Sequence, residues 1–150
     1  MRLNYYQLKE YMQLCIDLGQ HADKRVERPL VGAIVLSPDG NVVGQGFKSF
    51  IPNTRFLIHA ERMALETAGE NARGGTLVTT LEPCIRARPD QILRPCVELI
   101  VEAGIQTVVI GRDDHSELMK GEKGARYLRN RGVEVRGYYF MKHLIKEKLW

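Results

Sequence analysis

The sequence predicts an α/β domain of three layers, α/β/α, built around a five-stranded mixed sheet. Three observations predict it. Helical periodicity opens the chain over residues 5–20. Two apolar, β-rich runs separated by strong turn chemistry follow as a hairpin. Strands and helices then alternate to the end. The helix expected between the fourth and fifth strands predicts that those two strands are parallel, joined by a right-handed crossover. No internal repeat or linker interrupts the pattern, so residues 1–150 are expected to form one domain. At that size roughly 70% of the unfolded chain's surface can be buried, and no disulfide staple is needed.

The opening helix carries Leu8, Tyr11, Met12, Cys15 and Ile16 at helical spacing. Cys15 on that stripe reads as a small buried hydrophobe. Residues 21–28 are polar and read as a loop, with His21 solvated. Leu30 to Leu36 is the first strand, Ser37-Pro38-Asp39-Gly40-Asn41 the turn, and Val42 to Phe47 the second strand. Gly32 inside a strand permits close approach, either by a ligand or by a packed helix or bulge. Residues 48–58, with Pro52-Asn53-Thr54, read as a loop running into His59. Ala60 to Ala68 has high helix propensity, which puts His59 and Glu61 in a first turn. Thr76 to Thr80 is the third strand. Pro95 suits the first position of a helix reaching about Ala103, with Cys96 in its first turn, where helix-end N–H groups favour a thiolate. Thr107 to Ile110 and Val133 to Tyr138 are the fourth and fifth strands. A short basic helix, Gly124 to Asn130, lies between them, and Lys142 to Leu149 is a terminal helix.

Composition narrows the function classes. The chain is 44% apolar and 27% charged, as ordinary globular proteins are. No apolar run approaches the roughly 20 residues of a membrane-spanning helix. The first residues lack the apolar core of a signal peptide, and three cysteines without an export signal suggest a reducing, cytoplasmic setting. A net charge of +4 suits a phosphorylated or nucleic-acid partner but is also common without one.

The chemistry concentrates in His59-Ala60-Glu61, Pro83-Cys84 and Pro95-Cys96. One imidazole and two thiolates leave one tetrahedral position of a Zn²⁺ open for water, the arrangement of a catalytic zinc site. Glu61 stands two residues from His59, close enough to reach that water without binding the metal. His-x-Glu followed by Pro-Cys and a further Cys is the motif of zinc-dependent nucleobase deaminases. The segment between the cysteines is long compared with the two residues of the short form.

On these segments the chain resembles the cytidine-deaminase-like superfamily, and within it the deaminase domain of riboflavin biosynthesis. Pro29-Leu30-Val31-Gly32-Ala33-Ile34-Val35, Val43-Gly44-Gln45-Gly46, Ala72-Arg73-Gly74-Gly75-Thr76-Leu77, Thr80-Leu81-Glu82-Pro83-Cys84 and Leu128-Arg129-Asn130-Arg131-Gly132-Val133 carry the resemblance, which spans roughly residues 8–136. It implies a zinc cofactor on His59, Cys84 and Cys96, with Glu61 as proton shuttle. It implies hydrolytic deamination of a pyrimidine-type small molecule, the diaminohydroxyphosphoribosylaminopyrimidine intermediate of riboflavin biosynthesis first of all. It also implies a homo-oligomer, a dimer or tetramer. Arg28 and Lys48 occupy substrate-facing positions where that family usually has Asn and His. The segment between the cysteines normally supplies a basic contact to the ribose phosphate, making Arg86, Arg88 and Arg94 candidates. Asn53 joins them as a candidate substrate contact. Bacterial members often carry a reductase domain after the deaminase, and none is expected within these 150 residues.

Three other readings compete. Another nucleobase or nucleotide deaminase, acting on cytosine, dCMP or guanine, would share the zinc motif. A tRNA adenosine deaminase would need a groove for flanking phosphates, and usually has the short cysteine spacing. A non-catalytic zinc-stabilised binding module would have no use for Glu61.

Overall fold

The computed structural model describes residues 2–85, 94–114 and 124–150. Helix α1 (Tyr5–Gly19) begins on a capping box: Asn4 Oδ1 accepts from Gln7 N–H and Gln7 Oε1 accepts from Asn4 N–H, both at 2.9 Å. Strands β1 (Gly32–Leu36) and β2 (Val42–Phe47) form the expected antiparallel hairpin. Residues 48–58, expected as a loop, hold two short antiparallel strands, β3 (Ser49–Phe50) and β4 (Leu57–Ile58). Each is two residues long, too short to leave a period in the sequence. Then come α2 (Ala60–Ala68), a 3₁₀ turn (Gly69–Ala72), β5 (Thr76–Thr79), α3 (Cys96–Glu102), β6 (Thr107–Ile110), α4 (Gly124–Arg129), β7 (Glu134–Gly137), a second 3₁₀ turn (Tyr139–Met141) and α5 (Lys142–Leu149).

The main sheet has five strands in the order β2-β1-β5-β6-β7. β1 pairs antiparallel with both β2 and β5, whereas β5, β6 and β7 run parallel. β6 and β7 are the fourth and fifth strands of the sequence reading, and they are parallel as expected. Helices cover both faces, and the period-2 alternation of each strand divides the core between them. Ile34, Leu36, Val78 and Val109 pack with Met12 and Ile16 of α1 and with Ile145 and Leu149 of α5. Ala33, Val35, Leu77, Val108 and Ile110 pack with Ala60 and Ala64 of α2, Val97 and Ile100 of α3, and Leu128 of α4. Because β1 is covered on both sides, all five of its residues are buried.

Small residues decide how close the layers come. A Cβ on Gly32 would stand 1.8 Å from the Cys15 carbonyl oxygen, so this glycine serves helix packing by α1, not a ligand. On the opposite face a Cβ at Gly44 would meet Ala64 O at 2.0 Å, and one at Gly46 would meet Ala60 O at 2.2 Å. Helix α2 therefore lies directly on the β2 backbone, with Ala60, Ala64 and Ala68 as its contact row. This seating fixes where the start of α2 points. Among the described residues no helix is long and apolar enough to cross a membrane.

Candidate metal centre and active site

Two helix starts and one strand end meet here. His59 is the N-cap of α2 in extended backbone (φ −77°, ψ 154°), one residue outside the first turn in which the sequence placed it. Its ring can therefore turn across the helix end while Glu61, inside the helix, points down into the site. Pro95 is likewise the N-cap of α3, not its first residue, and Cys96 opens the helix as expected. Cys84 follows β5 on the Glu82-Pro83 turn.

The three donor atoms converge. Cys84 Sγ lies 3.5 Å and Cys96 Sγ 3.4 Å from His59 Nδ1, and all three donors fall within 4.8 Å of one another. Tetrahedral zinc bonds place a nitrogen and a sulfur ligand about 3.6 Å apart. The observed spacings match that, and the soft donor set suits Zn²⁺. Cys96 N–H donates to Cys84 Sγ at 3.3 Å, and Val97 N–H donates to the Cys84 carbonyl at 3.2 Å. The start of α3 thus holds Cys84 as well as presenting Cys96.

The protonation pattern follows from this crowding. The Cys96 thiol beside Cys84 holds Cys84 well below the usual thiol range, aided by His59. The same hydrogen bond, with burial and the nearby charge of Glu61, pushes Cys96 up. Burial works to lower the His59 pKa, yet the hydrogen bond and charge of Cys84 raise it overall.

Glu61 is 3% exposed. Burial pushes its carboxyl above the ordinary range. Thr79 Oγ1 lies 3.0 Å from Glu61 Oε1 and 3.1 Å from the Leu81 carbonyl, and its single proton can serve only one of them at a time. Thr79 was not anticipated. It ends a strand like many threonines, and nothing local marks it as facing a carboxylate.

The candidate substrate contacts separate. Lys48 is 9% exposed, donates to the carbonyls of Glu27 (2.6 Å) and Pro29 (3.2 Å), and its charge is felt at His59. Arg28 is exposed, and its guanidinium donates to the Trp150 carbonyl at 2.9 Å. Asn53 is exposed in the β3–β4 loop with a left-handed φ of 63°, a conformation asparagine tolerates. Arg94 lies against Glu98 and Glu102 of α3. Arg86 and Arg88 lie outside the described residues, as does His115.

Comparison with known proteins agrees with this geometry. Residues 6–112 match the family model described as the cytidine and deoxycytidylate deaminase zinc-binding region. The chain is 40% identical over 128 residues to the riboflavin biosynthesis protein RibD of Aquifex aeolicus, a match covering 85% of this chain and 33% of that protein. It is 37% identical over 128 residues to the diaminohydroxyphosphoribosylamino-pyrimidine deaminase of Buchnera aphidicola, covering 84% of this chain and 80% of the relative. The crystal structure of a diaminohydroxyphosphoribosylaminopyrimidine deaminase/5-amino-6-(5-phosphoribosylamino)uracil reductase from Thermotoga maritima aligns with a TM-score of 0.75 at 32% identity, over 96% of this chain and 39% of that one. The chain spans about a third of the length of the RibD proteins it matches. A donor set spaced for zinc, sited where the matched zinc-binding region lies, gives the conclusion its physical content: this chain belongs to the cytidine and deoxycytidylate deaminase family, in its RibD-type branch, with Zn²⁺ as cofactor.

Proposed function

We propose that residues 1–150 act as a single catalytic domain that hydrolytically deaminates the diaminohydroxyphosphoribosylaminopyrimidine intermediate of riboflavin biosynthesis. The observation that carries this reading is a buried carboxylate, Glu61, set beside the donor set of His59, Cys84 and Cys96. The named deaminase of Buchnera aphidicola, 80% of which this chain covers, supports the choice of substrate.

In this reading His59, Cys84 and Cys96 hold the zinc. Bound Zn²⁺ supplies the Lewis acidity that makes water nucleophilic near neutral pH. Glu61 takes a proton from the attacking water. It then delivers protons to the ring nitrogen and to the departing amine, which leaves as ammonia while its carbon becomes a carbonyl. Burial raises the proton affinity of Glu61, which suits a group that must accept a proton and pass it on. Thr79 orients the carboxylate. Lys48, whose charge acts on His59, is the candidate among the described residues to meet an anionic substrate, in exchange for its carbonyl partners. The protein works as a homo-oligomer in the cytoplasm.

Ammonia release across a substrate panel tests the assignment. The panel holds the phosphoribosylated diaminopyrimidine, cytosine, cytidine, dCMP, guanine and a tRNA anticodon stem-loop. Turnover of the first alone is expected. Turnover confined to another member would reassign the substrate and make Lys48 and Arg28 marks of changed specificity. Light scattering on the purified chain reads the oligomeric state, and a monomeric mass would remove the oligomer from the proposal.

A further inference from the structure

The Glu82-Pro83-Cys84 turn is held from outside by an unusual convergence. Glu82 is 3% exposed, although it carries a carboxylate. Its Oε1 accepts from Asp114 N–H at 3.0 Å and its Oε2 accepts from Ala125 N–H at 2.9 Å. These amides lie 32 and 43 residues further along the chain. Its own N–H donates to the Arg112 carbonyl at 2.8 Å. Behind it, Gly124 presses on the next peptide, where a Cβ would stand 2.1 Å from the Pro83 carbonyl oxygen. The turn therefore has contacts to the segment just after β6 and to the start of α4, while Cys84 faces His59.

We infer that Glu82 is a positioning residue for the metal centre: its two carboxylate oxygens tie the Cys84 turn to the segment after β6 and to the start of α4, and so set where the Cys84 sulfur stands. A charged acceptor with two backbone donors in a buried setting is among the stronger hydrogen-bonding arrangements available to a protein. Glu82 does not face the donor atoms itself. It acts through the two-residue path to Cys84, with proline between them limiting the freedom of the path. Neutralising it to glutamine leaves one acceptor and turns an NH₂ toward the other backbone N–H, so one of the two ties must break.

Cobalt(II) and zinc binding by the purified chain tests this without using turnover. The variants are Glu82→Gln, Glu82→Asp and, as a control on the opposite face of the sheet, Ile16→Val. Wild-type protein loaded with Co²⁺ alone is expected to show the intense d–d bands and the sulfur-to-cobalt charge transfer of a tetrahedral two-thiolate site. Glu82→Gln should shift or weaken those bands. It should also weaken Zn²⁺ affinity, measured by competition with a chromophoric chelator, by about 10- to 100-fold, as loss of a partner that orients a metal ligand typically does. Ile16→Val should lower the melting temperature and leave both metal readouts at wild-type values. Glu82→Asp, which keeps the charge but shortens the arm, should fall between wild type and Glu82→Gln. A Glu82→Gln protein with wild-type spectrum and affinity would overturn the inference. So would an Ile16→Val protein whose metal readouts fall as far, since general destabilisation would then account for the loss. A wild-type chain that binds no cobalt would overturn the ligand assignment itself, and the role of Glu82 with it.

Discussion

Glu61 illustrates how a single residue acquires its chemistry from its surroundings. A glutamate in the first turn of a helix normally stands in water. Here the side chain is buried against Thr79 at the end of β5, and burial pushes its carboxyl up. Glu61→Ala should retain zinc, read by atomic absorption, while ammonia release falls by about 10²- to 10⁴-fold, the usual size of a lost general acid–base group. A variant with unimpaired turnover would remove the proton-shuttle role and favour a zinc-stabilised binding module. Cys84→Ala should instead release the metal. Wild-type protein is expected to hold about one zinc per chain, as a single three-ligand site requires. A Cys84→Ala protein retaining full occupancy would refute the ligand set.

At the scale of elements, the critical contact is α2 on β2. Gly44 and Gly46 leave the strand without side chains on that face, and the alanine row of α2 descends onto it. Gly46→Ala must push a methyl against the Ala60 carbonyl, one residue from His59. The helix has to shift, at a cost of about 1–3 kcal/mol by comparison with other overpacked cores. Urea denaturation measures that loss, and an unchanged midpoint would mean that α2 moves freely. Arg94 marks a different element boundary. Its guanidinium is engaged by Glu98 in the first turn of α3 and by Glu102 at its end. We therefore expect Arg94→Ala to leave the preference for a phosphorylated substrate over its dephosphorylated analogue intact, as steady-state kinetics would report. A selective loss on the phosphorylated substrate would return Arg94 to the phosphate contacts.

For the whole molecule, the metal centre adds a tie between parts of the chain that already share a core and two backbone contacts at Cys84. His59 begins α2, Cys84 follows β5 and Cys96 begins α3, so zinc ties two helices of one layer to the end of a central strand. Binding to the folded state alone stabilises it, by about 4 kcal/mol when free zinc is a thousandfold above its Kd. Chelation should therefore lower the melting temperature, and returning zinc should restore it. Identical melting curves with and without chelator would mean that the site contributes nothing to the fold. The second link across the layers is α5, where Leu30 N–H donates to the Leu149 carbonyl at 2.7 Å and Leu149 packs against α1.

What the sequence determined by itself was whatever local pattern can record. Periodicity marked α1 and the five strands of the main sheet, and turn residues marked the hairpin. The parallel pairing of β6 and β7 followed from the helix between them. The residue types at 59, 61, 84 and 96 carried the metal chemistry, because few arrangements other than zinc use a histidine and two cysteines beside a spare glutamate. Only the tertiary structure decided which distant groups meet. Thr79 reaches Glu61 across 18 residues, and Glu82 reaches Ala125 across 43. Gly32 proved to be a seat for α1, a choice that depends on which helix crosses β1. Lys48 turned inward to two carbonyls and Arg94 outward to two carboxylates, although both are simply basic residues in the sequence. The physical reason is the same in each case. Propensity and period are properties of neighbouring residues, whereas a hydrogen bond between remote segments exists only once sheet order and layer spacing have brought them within about 3 Å.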